Sequence, residues 1–276
     1  MTSKKNFSKF IVYLIVIIHV CIVIFPFIWL IYSSMKTNSE FFSSVWKLPS
    51  HLNFDNYIKA WGEGALGIYS INSILVTLVS VFITVIIANL AGYALVAYKV
   101  KWSSAIVFTL IAVMAIPSYT TLVPLSTSLK SVGLLNTRMG LILPTIAFNI
   151  PMSIFIMRGF FITVPKELIE AARIDGAGEL KIFFKIMLPL AKSASFTTAI
   201  INVIWVWNDF LFPLVIINDP KLKTLPIGLR DFVGQHVTNY PVMLAAILIS
   251  ALPALLIYIL FQKQVIGGLM GSAVKG

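Results

Sequence analysis

The sequence predicts an all-α protein that crosses a membrane six times, and three observations carry that prediction. Apolar residues make up 59% of the 276 and charged residues only 11%, with a mean hydropathy of +0.95. Soluble domains are about half apolar and about a quarter charged. The apolar residues gather into six runs of roughly 20 or more, enough at ~1.5 Å of helical rise per residue to cross a hydrocarbon core of ~30 Å. The formal net charge of +11 is spread over the short segments between the runs, as in membrane flanks. Membrane lipids are therefore the partner it implies, and nucleic acid is excluded. A bilayer admits only helices and closed barrels, and runs of this length are helices.

Taken in order, Lys4, Lys5 and Lys9 precede a first span over 11–32. The apolar core of a cleavable signal is about 7–15 residues and ends in a small-residue site; this run is longer and lacks the site. It reads as a true span with a cytoplasmic N-terminus. His19, alone in that run, reads as a packing residue. Residues 33–69 are polar and aromatic, with Trp46, Tyr57 and Trp61 suited to an interface. Spans two, three and four cover 71–97, 104–125 and 141–162. Lys99 and Lys101 put the link between spans two and three inside the cell. Pro117, Pro124, Pro144 and Pro151 can kink or break their spans where neighbours re-satisfy the backbone. Spans five and six cover 193–217 and 242–261, which returns the C-terminus to the inside. On this topology 13 of the 21 lysines and arginines are inside and 8 outside, the sign expected of a positive-inside protein. The one cysteine, Cys21, lies inside an apolar run, so no disulfide framework or thiolate metal site is available.

Segment 163–190 is the only long charged stretch. Pro165 suits a first helical turn, and Glu167 and Glu170 favour the positive end of the helix dipole. Leu168, Ile169, Ala172 and Ile174 form an apolar stripe at helical spacing, with Lys166, Glu170 and Arg173 pointing elsewhere. Gly176 and Gly178 interrupt the helix, and a second apolar turn (Leu180, Ile182, Phe183, Phe184) runs to Pro189, which stops or kinks it. Glu170-Ala171-Ala172, Gly176 six residues after the glutamate, and Ile186-Met187-Leu188-Pro189 beginning ten residues after that glycine together resemble the signature loop of ABC importer permeases. That resemblance implies a coupling helix docked in a cleft of an ATP-hydrolysing subunit. Glu170, Ala171, Ala172, Arg173, Asp175, Gly176, Ile186, Leu188 and Pro189 would then form the coupling site. Without the full spacing, the segment would read as an amphipathic connector on the membrane surface.

No glycine-rich phosphate loop, His-Glu-x-x-His, paired cysteines or nucleophile elbow occurs, so catalysis, cofactor and resident metal are not expected. The acid well inside a span is Asp209, in Trp205-Val206-Trp207-Asn208-Asp209-Phe210-Leu211-Phe212-Pro213-Leu214. Intramembrane acids are costly and face the protein interior, so Trp207, Asn208 and Asp209 either line a translocation path or tie helices together. This segment resembles the fifth span of the smaller permease of maltose-type sugar importers. Residues 48–57 resemble its first external loop, and the tail from Gln262 to Gly276 resembles its C-terminus.

The resemblance implies a heterodimer with a second homologous permease, two ATPase subunits, an extracellular solute-binding protein and a sugar substrate. It places Arg230, Asp231, Gln235 and His236 of the outer loop 218–241 against the binding protein. Ala273, Val274 and Lys275 of the tail would lie against the ATPase. Within that loop the apolar side chains of 224–229 should pack on the permease wall. Polyols, glycerol phosphates and amino acids remain alternative solutes. An ion-coupled secondary transporter is the rival class; it would carry more intramembrane charge and inverted repeats.

Overall fold

The computed structural model describes residues 2–98, 101–233 and 239–273, with side chains for those between 9 and 262. Every regular element among them is helical. In chain order these are α1 (Thr2–Ser34), α2 (Asn38–Ser43), α3 (Asp55–Trp61), α4 (Leu66–Ala97), α5 (Ser103–Met114), α6 (Leu122–Ser131) and α7 (Arg138–Thr163). They continue with α8 (Lys166–Ile174), α9 (Glu179–Ile182), α10 (Leu188–Leu190), α11 (Lys192–Trp207), α12 (Leu211–Ile216), α13 (Leu225–Gly228) and α14 (Tyr240–Ala273). Four of these are long and apolar enough to cross a membrane, and six spans result if each sharply bent helix pair counts as one. The chain forms two compact units, one of Met1–Gly67 with Gly228–Leu252 and one of Ile68–Ile227 with Pro253–Gly276.

In the first unit the Lys9–Ser34 part of α1 is long and strongly apolar, and its most apolar stretch is not buried. His19 and Cys21 are exposed on it. Its C-terminal end is closed by Lys36, only 1% exposed, whose Nζ donates to the carbonyls of Val45 (2.8 Å) and Ser44 (3.2 Å). It also stands 5.1 Å from the Tyr32 ring. Burial lowers the Lys36 pKa, against the opposing pull of Glu40. Glu40 forms a capping box with Thr37 at the start of α2. Hydrogen bonds from the Ser50 hydroxyl and from the backbone of Thr37 and Ser50 hold its carboxyl down at about 2. The Asn56 amide ties α3 back to the carbonyls of Ser34 and Lys36.

In the second unit two of the expected spans are broken. Residues 104–125 are not one helix: Ser103–Met114 and Ser118–Ser131 are bent by 83° to each other. The bend is at Pro117, which disfavours helical geometry at Ile116 before it. Pro124 sits in the first turn of α6, where it is harmless, and α7 runs unbroken through Pro144 and Pro151. Residues 193–217 are likewise divided, because α11 ends at Trp207 and α12 begins at Leu211. In a continuous helix the Pro213 ring would strike the carbonyl of Asp209, four residues back. The Asn208 amide instead donates to the Ile204 carbonyl at 2.7 Å and closes α11.

Two apolar clusters hold this unit. One joins Ala88 and Tyr93 of α4, Met157 and Phe161 of α7, Ile169 and Ala172 of α8, Ile182, and Met187. The other joins Val76, Leu129, Leu141, Ile146, Phe212, Ile216 and Ile227. Polar ties cross between helices as they do in membrane bundles: Ser195 to Asn89 at 3.0 Å, and Asn202 to Ser153 at 2.9 Å. Gly92 of α4 meets α7 so closely that a Cβ there would lie 2.9 Å from the Arg158 nitrogen and 3.0 Å from the Met157 Cβ.

Candidate functional site

The signature segment folds as helix, bend, helix. Pro165 stands at the N-cap position of α8. Gly176 turns the chain out of α8 with φ +75, a conformation that costs glycine little, while its N–H donates to the Arg173 carbonyl at 3.0 Å. After α9 the backbone widens into a single π turn over Phe183–Met187. The stretch Glu179–Leu190 is then bent by 72° to α11, so the break falls at Ala191, just beyond Pro189.

The apolar stripe is narrower than the spacing predicts. Ile169 and Ala172 are buried in the first cluster, but Leu168 is 44% and Ile174 86% exposed. Burial here is decided by what α8 lies on, and only the Ile169–Ala172 edge touches α7 and the π turn. Glu170, Ala171, Arg173, Asp175 and Pro189 are exposed, whereas Ile186 and Leu188 are half-buried against the cluster. The loop thus has two faces. One is locked to the ends of α4 and α7 by the rings of Phe183 and Phe161, 5.4 and 5.8 Å from Tyr93. The other leaves Glu170 exposed, and Leu168, Ile174 and Leu180 are exposed as well. Arg173 Nε lies 2.7 Å from Glu179 Oε1, and the Tyr98 hydroxyl donates to Glu179 Oε2 at 3.0 Å. Arg173, foremost, holds the Glu179 carboxyl below its ordinary value.

The second region is a cavity of about 680 Å³ at the two helix breaks, lined among others by Pro117, Tyr119, Phe148, Asn149, Trp205 and Phe212. Asn208 and Asp209 line it too, while the Trp207 side chain is buried outside the lining. Asp209 is not in mid-helix: it occupies the break before α12, where Oδ1 accepts from the Phe212 N–H at 3.4 Å. Aromatic faces, amides and one carboxylate suit a polyhydroxylated solute, since sugars present apolar ring faces as well as hydroxyls. Hydropathy did not single out Tyr119, Phe148 or Asn149; the prolines at 117 and 151 were the available signal.

Between α12 and α13 the chain forms only a short turn, Pro220–Leu222, and side chains hold it in place. The Asn72 amide donates to the carbonyls of Lys221 and Lys223 at 2.8 and 3.0 Å, and the Leu225 N–H donates to Ser73 Oγ at 2.8 Å. Leu225 and Ile227 are 1% and 3% exposed, so this apolar part packs inward. In the first unit Arg230 and Asp231 are exposed on a short turn, Leu229–Phe232. Gln235 and His236 lie outside the described residues, as do Val274 and Lys275; Ala273 ends α14.

Comparison with known proteins agrees with this layout. The melibiose/raffinose/stachyose import permease MelC of Bacillus subtilis is 36% identical over the full length of both chains. The diacetylchitobiose uptake permease NgcG of Streptomyces coelicolor is 34% identical over 96% of this chain and 88% of its own. Among solved structures, a bacterial ABC transporter involved in import of the acidic polysaccharide alginate shares the fold. Its TM-score is 0.83 at 23% identity, covering 94% of this chain and 97% of that one. Residues 85–265, which include both the loop and the cavity wall, match the family model for the inner membrane component of binding-protein-dependent transport systems, and the chain belongs to that family.

Proposed function

We propose that this chain is one permease half of an ATP-driven, binding-protein-dependent importer of a sugar, an oligosaccharide by preference. Relatives bearing the names of melibiose, raffinose, stachyose and diacetylchitobiose support the substrate class. The observation that carries the coupling role is the two-faced loop: one face is seated on α4 and α7, and the other leaves Glu170 exposed. Its partners are a second homologous permease, two ATPase subunits that hydrolyse the ATP, and an extracellular solute-binding protein. Both termini and the loop face the cytoplasm of a bacterial cell. ATPase closure moves the loop and rocks the helices between inward-open and outward-open states. Asn208 and Asp209 line the path, Arg230, Asp231, Gln235 and His236 meet the binding protein, and the tail at Ala273, Val274 and Lys275 meets the ATPase.

The test is reconstitution of the assembled transporter with its binding protein, followed by uptake of a raffinose-type oligosaccharide. Uptake should require both ATP and the binding protein; uptake driven by an ion gradient without ATP would overturn the reading. Asp209→Ala should lower uptake about tenfold while membrane yield holds, because an intramembrane acid that lines a path serves the solute more than assembly. Lower yield with normal uptake per transporter would make Asp209 a packing residue.

A further inference from the structure

Asp209 also borders a second, much smaller pocket, shared with Ser73, Thr77, Thr145 and Thr224, with a volume of about 10 Å³. That is close to the space of a single water, ~10–15 Å³. Thr77 and Thr224 are 4% and 5% exposed, and their Oγ1 atoms have no hydrogen-bond partner among the described residues. The other two hydroxyls are engaged: Thr145 donates to the Leu141 carbonyl at 2.8 Å, and Ser73 accepts from the Leu225 N–H. Buried hydroxyls are paired almost without exception, by protein or by ordered water.

The accounting of donors selects the occupant. Two threonine protons need acceptors, and a carboxylate at the same pocket needs donors. One water meets both needs, accepting twice and donating to the carboxylate. A bare cation would serve the carboxylate but leave both threonine protons without an acceptor. We propose that this pocket holds one ordered water that accepts from Thr77 and Thr224 and donates to Asp209.

Thr224 is then a positioning residue. It is pinned to α4 on both sides, by Asn72 at the Lys223 carbonyl and by Ser73 at the Leu225 N–H. Through the water it fixes the carboxylate that borders the large cavity. The segment between α12 and α13 is thereby linked to the cavity wall, whichever solute is carried.

Thr77→Val, Thr224→Val and the double variant test this on the detergent-purified transporter assembled with its partner subunits. Valine keeps the shape and deletes the hydroxyl. In a dry pocket each valine removes an unpaired buried group, and Tm holds or rises. With the water present, each single variant should lower Tm by about 2–4 °C, and the double should fall by less than the sum, because both hydroxyls share one partner. Thr77→Ser and Thr224→Ser, which keep the donor, should recover most of the loss. Tm values that hold or rise, or strictly additive falls, overturn the proposal. So does a wild-type Tm that rises in sodium chloride over choline chloride and loses that rise in the valine variants, which would make the occupant a cation. The readout is thermal, so its failure is separable from failure of the transport reading.

Discussion

Around Tyr93, Phe161 and Met187 the helices are held by packing, whereas around Asn72, Ser73 and Asp209 packing is joined by hydrogen bonds to backbone that no helix satisfies. In the first region Phe161, Ile182 and Ala191 are fully buried and Met187 is 1% exposed, and the loop's own side chains complete the cluster. In the second, the Asn136 side chain accepts from the N–H groups of Asn218 and Asp219, both at 2.8 Å, and Asn72 and Ser73 serve residues 221–225. Close-packed apolar contacts have few alternative arrangements and pass a displacement on. Side-chain hydrogen bonds permit a backbone that is neither helix nor strand to line a cavity, provided each group finds a partner. The loop end is therefore suited to transmission and the cavity end to contact with solute.

The largest expected effect comes from detaching the loop's geometry from its packing. Proline cannot reach the φ of +75 at Gly176 and would delete the N–H bonded to Arg173. Gly176→Pro should abolish uptake and substrate-stimulated ATPase activity while the chain still inserts. Glu170→Lys, which reverses an exposed charge and leaves the packing intact, should do the same. Normal stimulated ATPase activity in either variant would remove the loop from coupling. Next, Phe161→Ala should cost about 3–5 kcal/mol through the cavity it leaves in the first cluster, read as a fall in Tm. Asn72→Ala should cost less, about 1–3 kcal/mol for the part-buried carbonyls it strands, and should raise amide exchange in 221–225 more than in the loop. Equal exchange in both regions would erase the contrast between them.

The smallest effect belongs to Glu179, whose pair with Arg173 is 40% and 39% exposed and is screened by solvent. Its carboxyl is depressed, so its contribution is present above the ordinary glutamate value of about 4.3 and fades as pH falls below it. Glu179→Gln should leave neutral-pH uptake unchanged and flatten the acid dependence of amide exchange over 173–180. A variant that keeps the wild-type acid response would show that other groups set it.

Much of the loop was legible from sequence because its geometry is written in residue types: a glycine where φ is positive, a glutamate-alanine-alanine on a helix, a proline just before the bend. Its exposed face was less legible, since spacing groups Ile174 with Ile169 although only one of them has a neighbour to lie on. The cavity end was harder. Hydropathy integrates over a window and sees 104–125 and 193–217 as unbroken, while a proline that breaks a helix at 117 and one that α7 absorbs at 144 look alike. Nothing in the sequence of span two singles out Asn72 and Ser73, because their partners lie roughly 150 positions away.

Gly92 carries a consequence for how the bundle can flex. With only a hydrogen between α4 and the backbone of Arg158, there is no layer of rotamers in which a shift of one helix could be dissipated before it reaches the other. A shift of either helix at this contact would be passed to the other, and the loop packs against both through Tyr93 and Phe161. Pivots then belong where the helices break, at Ile116–Pro117 and Asn208–Asp209, and those residues border the cavity. The helix breaks and the walls of the chamber share residues, so a bend at the one would reshape the other.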